Sequence, residues 1–201
     1  MSGEHKIKEG DRIKYTFEST NASELLVFTD KMQVYKTRLY EFEDAKASVL
    51  GDYLPQKLGF EKEENVLFVT ATKDYQGSLF AFFQNGKAAR VDLHAYETKT
   101  NRKKLINAYS GASPLCAMFC IREECEFVCT ASNGRCLIVP SAAIAPKTTK
   151  NTAGINVMTL KSKTLLERVE MYEDGMFEMC IRDRYYSGIY WRRRTCFRQQ
   201  H

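Results

Sequence analysis

Three stretches of the chain repeat one pattern of apolar and polar positions, at a period of about fifty residues. They are ELLVFTDKMQVYKTRLYEF (Glu24 to Phe42), GSLFAFFQNGKAARVDLHAY (Gly77 to Tyr96) and CEFVCTASNGRCLIVPSAAI (Cys125 to Ile144). In each, an apolar strand runs into a tight turn, and a second strand opens on a polar or basic residue. The turns fall at Lys31-Met32, Asn85-Gly86 and Asn133-Gly134. Asn-Gly between β-rich runs is a strong hairpin signal, because both turn residues then take positive φ. A hairpin recurring at this period predicts the blade of a propeller-like array.

A further β-rich run leads each hairpin: DRIKYTFES (Asp11 to Ser19), ENVLFVTAT (Glu64 to Thr72) and SPLCAMFCI (Ser113 to Ile121). A longer polar connection follows each one. GINVMTL (Gly154 to Leu160) reads as a fourth leading strand, with no hairpin after it. In LLERVEMYEDG (Leu165 to Gly175), Leu165, Leu166 and Val169 suggest one short helical turn. The expected fold is all-β and open, with blades over 8–63, 64–112 and 113–153 and a partial blade over 154–178. Blades bury their faces against neighbours, so an open set leaves an edge or face uncovered and suggests a piece of something longer.

Charge changes the picture only locally. The chain carries a formal net charge of +5. Six arginines and one aspartate between Met179 and His201 account for all of it, and residues 1–178 balance to zero. The run Met179-Cys180-Ile181-Arg182-Asp183-Arg184 resembles the read-through of a sequencing-library adapter, so residues 179–201 read as a non-native tail. The other reading is a basic tail for nucleic acid or an acidic partner. No apolar run approaches the ~20 residues of a membrane span, and MSGEHKIKEGDRIKY lacks the apolar core of a secretory signal. A reduced, cytosolic setting fits the cysteines best, and Asn21-Ala22-Ser23 then reads as an ordinary loop triplet rather than a glycosylation site.

Candidate chemistry is sparse. Cys116, Cys120, Cys125, Cys129 and Cys136 cluster in one blade. Their x3 spacing is not the usual zinc hairpin, and residues four apart share one face of a strand, where thiols pack as small apolar groups. His94 sits on an alternating strand. No nucleophile elbow, zincin motif or phosphate loop occurs. Basic clusters are the better lead. Lys31, Lys36 and Arg38 flank the first turn; Lys87 and Arg90 occupy the matching strand of the second repeat, and Arg135 that of the third. Lys99, Arg102, Lys103 and Lys104 crowd one connection, and Lys147 and Lys150 follow the third hairpin. A recurring stripe of cations can track a phosphate backbone; the competing reading is solubility and edge protection.

These residues carry a resemblance. ELLVFTDKMQVYKTRLYEF, LGDYLPQKLGFEKEENVLFV, FFQNGKAARVDLHAYETKTNRKKL and TASNGRCLIVP resemble, in order, adjoining blades of the C-terminal β-pinwheel of bacterial type IIA topoisomerase A subunits, the gyrase and topoisomerase IV family. Met32 stands where the first turn of that pattern has Gly. The resemblance implies a domain that binds and bends duplex DNA on a basic rim for an ATP-dependent enzyme. By blade position it places Lys31, Lys36, Arg38, Lys87, Arg90, Arg102, Lys103, Lys104 and Arg135 at DNA. It implies no cofactor in this stretch, ATP and Mg in the parent enzyme, a B subunit partnered through other parts of the A subunit, and a bacterial cytoplasmic, nucleoid-associated setting. The gyrase box Q-R-R-G-G-K-G is absent, and no tyrosine before Met179 sits in a cleavage-site context, so no strand cleavage is expected of these residues alone. The rival expectation is a protein-interaction propeller with no DNA role.

Overall fold

The computed structural model describes residues 14, 16–44, 51–98 and 102–173, together with the backbone of 179–181 and 194–196. In chain order its strands are β1 (Glu24–Thr29), β2 (Val34–Arg38), β3 (Val66–Thr72), β4 (Ser78–Phe83), β5 (Lys87–Asp92), β6 (Lys104–Leu105), β7 (Leu115–Ile121), β8 (Glu126–Ala131), β9 (Cys136–Pro140), β10 (Pro146–Lys147), β11 (Ile155–Asn156), β12 (Leu166–Met171), β13 (Met179–Ile181) and β14 (Arg194–Cys196). One short helix, α1 (Leu54–Leu58), lies in the first connection; Pro55 opens it, and Gly59 at φ 68 closes it. The fold is nearly all β, in open sheets. No helix among the described residues is long and apolar enough to cross a membrane. The chain divides into two compact units, one of residues 1–75 and 96–108, the other of residues 76–95 and 109–201.

The first unit is built on one sheet, in the order β3-β1-β2-β6. β1 is apolar at successive positions, so it buries both faces. Leu25 and Val27 pack with Tyr35 under Leu39, Phe42, Leu54, Leu58 and Phe60. Phe28, on the other face, meets Phe68 and Tyr96 with ring centroids 6.1 and 5.4 Å away. At the hairpin end Glu64 is buried as a carboxylate. It accepts from the Thr29 hydroxyl, from the Tyr35 hydroxyl at 2.8 Å and from the Glu61 N–H at 2.8 Å. Satisfied this way, it ties the loop before β3 to the hairpin.

The second unit stacks two sheets. One runs β10-β5-β4-β7, with β11 also on β5; the other runs β12-β8-β9. Phe80 and Phe82 of β4 lie 5.1 and 4.9 Å from Phe127 of β8, in a core with Cys129, Val139, Ile144, Met158 and Leu166. Separately, the backbones of β13 and β14 pair antiparallel.

Three expectations change. The hairpin turns are not two-residue turns with both residues at positive φ. Positive φ falls only on the last turn residue: Met32 at 55°, Gly86 at 79° and Gly134 at 78°. The Gly86 N–H bonds the Phe83 carbonyl at 3.0 Å, and the Gly134 N–H bonds that of Ala131 at 2.9 Å. This is a tight turn followed by a left-handed residue, the usual longer hairpin loop. Second, each leading strand pairs with the hairpin before it: β3 with β1, β7 with β4 and β12 with β8. Of the run Asp11 to Ser19, Lys14 and residues 16–19 form no strand, and the rest lies outside the described residues. Third, Leu165–Gly175 supplies β12 rather than a helical turn. Leu166 and Val169 point to one face because a bulge between Leu166 and Arg168 shifts the alternation. Gly154–Leu160, expected as that strand, instead forms the short β11 and a strap across the hairpin tips.

Candidate nucleic-acid interface

In the first unit the cations sit along β2 and β6. β6 lies on the outer side of β2, pairing Leu105 with Val34 and Lys104 with Tyr35, while Lys36 N–H bonds the Lys103 carbonyl at 2.8 Å. Lys31 is exposed at the hairpin tip, and Arg102 is exposed before β6. Arg38 is half-exposed, 3.8 Å from Glu24 and stacked 5.9 Å from the Tyr40 ring. Lys103 is 76% exposed, 3.8 Å from Glu41. Lys104 donates to Glu61 at 2.5 Å and lies 5.5 Å from the Tyr35 ring. Its hydrogen bond to Glu61 holds Lys104 above the ordinary lysine range and Glu61 below the ordinary carboxylate range. Lys99 lies outside the described residues.

Lys36 does not share this exposure. It is 5% exposed, and its ammonium donates to the Tyr96 carbonyl and the Thr98 hydroxyl at 3.1 Å each, pairs with Glu24 at 3.4 Å and sits 5.0 Å from the Tyr75 ring. Arg90 occupies the same place in the second repeat, four residues past the positive-φ turn residue, and it also turns inward. Its Nε donates to Ser78 Oγ at 3.0 Å, Nη1 to the Ser141 carbonyl at 3.5 Å, and Nη2 pairs with Glu124 at 2.9 Å over the Phe80 ring. Both cations tie loops to a blade.

In the second unit, residues 154–166 form the strap. The Gly86 carbonyl accepts from Val157 and Met158 at 3.0 Å each, the Leu166 N–H bonds the Gln84 carbonyl, and the Ser132 N–H bonds the Leu165 carbonyl, each at 2.9 Å. The path is close: a Cβ on Gly86 would lie 2.2 Å from the Met158 carbonyl oxygen, and one on Gly154 2.2 Å from that of Ala88. Lys87 opens β5 opposite Asn156. Arg135 donates to the Thr159 carbonyl at 3.2 Å. Lys161 and Lys163 are exposed on the strap's turn, and Lys147 lies exposed on β10, beside Val91 of β5.

A signal in the sequence marks this surface, and a search for clustered bases passes over it. No Asp or Glu occurs between Glu126 and Glu167, while Arg135, Lys147, Lys150, Lys161 and Lys163 do. Among the described residues none of these four lysines forms an ion pair. The cations run along the outer side of β5 and round the hairpin tips, with Thr148, Thr149 and Ser162 among them. Point charges mixed with hydroxyl donors suit phosphate oxygens rather than base edges. The cysteines offer little chemistry. Burial pushes the Cys116 thiol up to about 11 and the Cys129 thiol up to about 12, so both stay protonated at neutral pH. Among the described residues no three His, Cys, Asp or Glu converge as metal ligands.

No protein-family model matches the chain. The A subunit of DNA gyrase from Streptomyces coelicolor is 35% identical over 71 residues, covering 35% of this chain and 8% of that protein. The A subunit of DNA topoisomerase 4 from Bacillus subtilis is 22% identical over 102 residues, covering 50% of this chain and 13% of that protein. The chain thus matches only a small part of the length of these relatives. Among solved structures, the C-terminal domain of DNA topoisomerase IV superposes with a TM-score of 0.74 at 17% identity, over 88% of this chain and 55% of that one. The resemblance to the C-terminal β-pinwheel of gyrase and topoisomerase IV A subunits therefore holds, in sequence through these two relatives and in fold through the solved domain.

Proposed function

We propose that this chain is a DNA-binding segment of a bacterial type IIA topoisomerase A subunit, gripping duplex phosphates and bending the duplex so that the parent enzyme can pass one segment through another. The acid-free run from Arg135 to Lys163, whose four lysines form no ion pair among the described residues, carries this reading; the shared fold supports it. Each phosphate neutralised releases counterions, so several such contacts give affinity without sequence preference and with steep salt dependence. Bending a short duplex costs on the order of 1–6 kcal/mol, which the added contacts must offset. Lys31, Arg38, Lys87, Arg102, Lys103, Lys104 and Arg135 belong to the proposed contact set. Lys36 and Arg90 support it from inside the blades.

In this reading ATP hydrolysis, Mg²⁺ and strand cleavage belong to other parts of a cytoplasmic holoenzyme, and a B subunit is engaged there too. No three of the described His, Cys, Asp or Glu residues converge to hold Mg²⁺, and the sequence has no phosphate loop for ATP. The test is fluorescence anisotropy with a 40-base-pair duplex of arbitrary sequence, across a salt series. The expected result is binding whose log affinity falls linearly with log salt, equally for unrelated sequences. No binding at about 50 mM salt, a condition that favours electrostatic contacts, would overturn the proposal.

A further inference from the structure

The two units present their cations differently, and the difference falls on Glu61. In the second unit Lys147, Lys161 and Lys163 face solvent, with no carboxylate partner among the described residues. In the first unit Lys104 is held by Glu61 at 2.5 Å and Lys103 stands 3.8 Å from Glu41. Glu61 does not meet Lys104 by chance of a mobile side chain. Its own N–H donates to the buried Glu64 carboxylate at 2.8 Å, its carbonyl accepts from the Glu64 N–H at 3.3 Å, and Gln33 Nε2 donates to the same Oε1 that holds Lys104. Glu64 is in turn clamped to the hairpin by Thr29 and Tyr35. Glu63, between them, is held at φ 59, a left-handed conformation that non-glycine residues seldom adopt. The fold thus places a carboxylate on the cation that opens the outer strand.

We propose that Glu61 is a built-in competitor for phosphate at Lys104, so that this lysine engages DNA only by exchanging the carboxylate for a phosphodiester oxygen, while Lys161 and Lys163 of the second unit bind without any exchange. The inference rests on the DNA-binding reading. An exposed ion pair is weak, so exchange is feasible, but it subtracts from the gain of each contact. The second unit then sets the basal affinity, and the first adds to it in proportion to how far its carboxylates are displaced.

The experiment is a double-mutant cycle on the full chain, using the same duplex and salt series with E61Q, K104Q and the pair. Glutamine keeps the size and hydrogen-bonding reach of Glu61 and removes only its charge. E61Q is expected to raise affinity about three- to tenfold at low salt and to steepen the log–log salt slope by about one, the increment of one more phosphate contact. In the K104Q background the gain should disappear. An E61Q affinity equal to or below the unmodified chain's overturns the proposal. So does a gain that survives in K104Q, because removal of net charge alone would then explain it. If the unmodified chain binds no DNA, the functional reading itself fails; if it binds and E61Q is silent, only the competitor role fails.

Discussion

At the scale of single residues, recurrence of charge does not by itself mark a binding surface. Lys36 and Arg90 recur at the same repeat position, which is why the sequence suggests a rim stripe. That position faces into the blade, where each cation meets a carbonyl, a hydroxyl, a carboxylate and a ring. Strand alternation decides between the two roles, and it depends on where the turn sets the register, which a motif count does not reveal. The consequence is measurable. K36M removes the donor to Tyr96 and Thr98 and takes the buried ammonium from Glu24, which keeps only the Tyr75 hydroxyl and Arg38; hydrogen bonds to charged groups contribute about 1.5–3 kcal/mol each, so a loss of about 2–4 kcal/mol is expected in urea unfolding. The salt slope of DNA binding should stay as it was, because no phosphate contact has been lost. A shallower slope with unaltered stability would return Lys36 to the interface.

At the scale of elements, the hairpins are legible in the sequence and their partners are not. Apolar runs either side of Asn-Gly give β4–β5 and β8–β9 directly, and the Lys31-Met32 turn gives β1–β2. Which sheet a leading strand joins is a long-range choice, and local pattern says nothing about it. β12 is hidden for a related reason: its bulge breaks the period-two signal, leaving Leu166 and Val169 at a helical spacing. The strap is hidden because it is held by backbone hydrogen bonds to Gly86 and Gln84 rather than by a side-chain pattern. Two glycines in equivalent turns therefore differ in consequence. Gly134 has open space where a Cβ would go, whereas Gly86 has the Met158 carbonyl oxygen at 2.2 Å. G134A should cost only the left-handed backbone penalty of about 1–2 kcal/mol. G86A carries the same penalty and must also push the strap off the tip, so its melting temperature should fall further. It should also weaken DNA binding through Lys161 and Lys163, as G134A should not. Equal melting temperatures for the two variants would mean that the strap gives way at no cost.

At the scale of the molecule, a balanced total charge conceals an uneven one. Residues 1–178 sum to zero, which argues against long-range attraction to a polyanion. Yet the forty residues between Glu126 and Glu167 carry only positive charges, and folding sets these along β5 and the hairpin tips of one unit. This part of the site is open to sequence reading as an absence of acids; counting bases alone passes over it. The remainder needs the fold, since Glu41 and Glu61 are distant in sequence from the lysines they meet. Two charge reversals of equal size separate the contributions. K161E with K163E removes two exposed cations from the second unit that have no ion-pair partner among the described residues, and should lower affinity more than tenfold, flattening the salt slope by about two, close to one unit per lost phosphate contact. R102E with K103E acts where a carboxylate already competes, since Lys103 stands 3.8 Å from Glu41. That pair should lower affinity less and change the slope by about one at most. All four residues are exposed, so neither pair should alter the melting temperature by more than surface substitutions usually do. Should the first-unit reversal prove the more damaging, the grip on DNA lies along β6, and the acid-free run serves some other anionic partner.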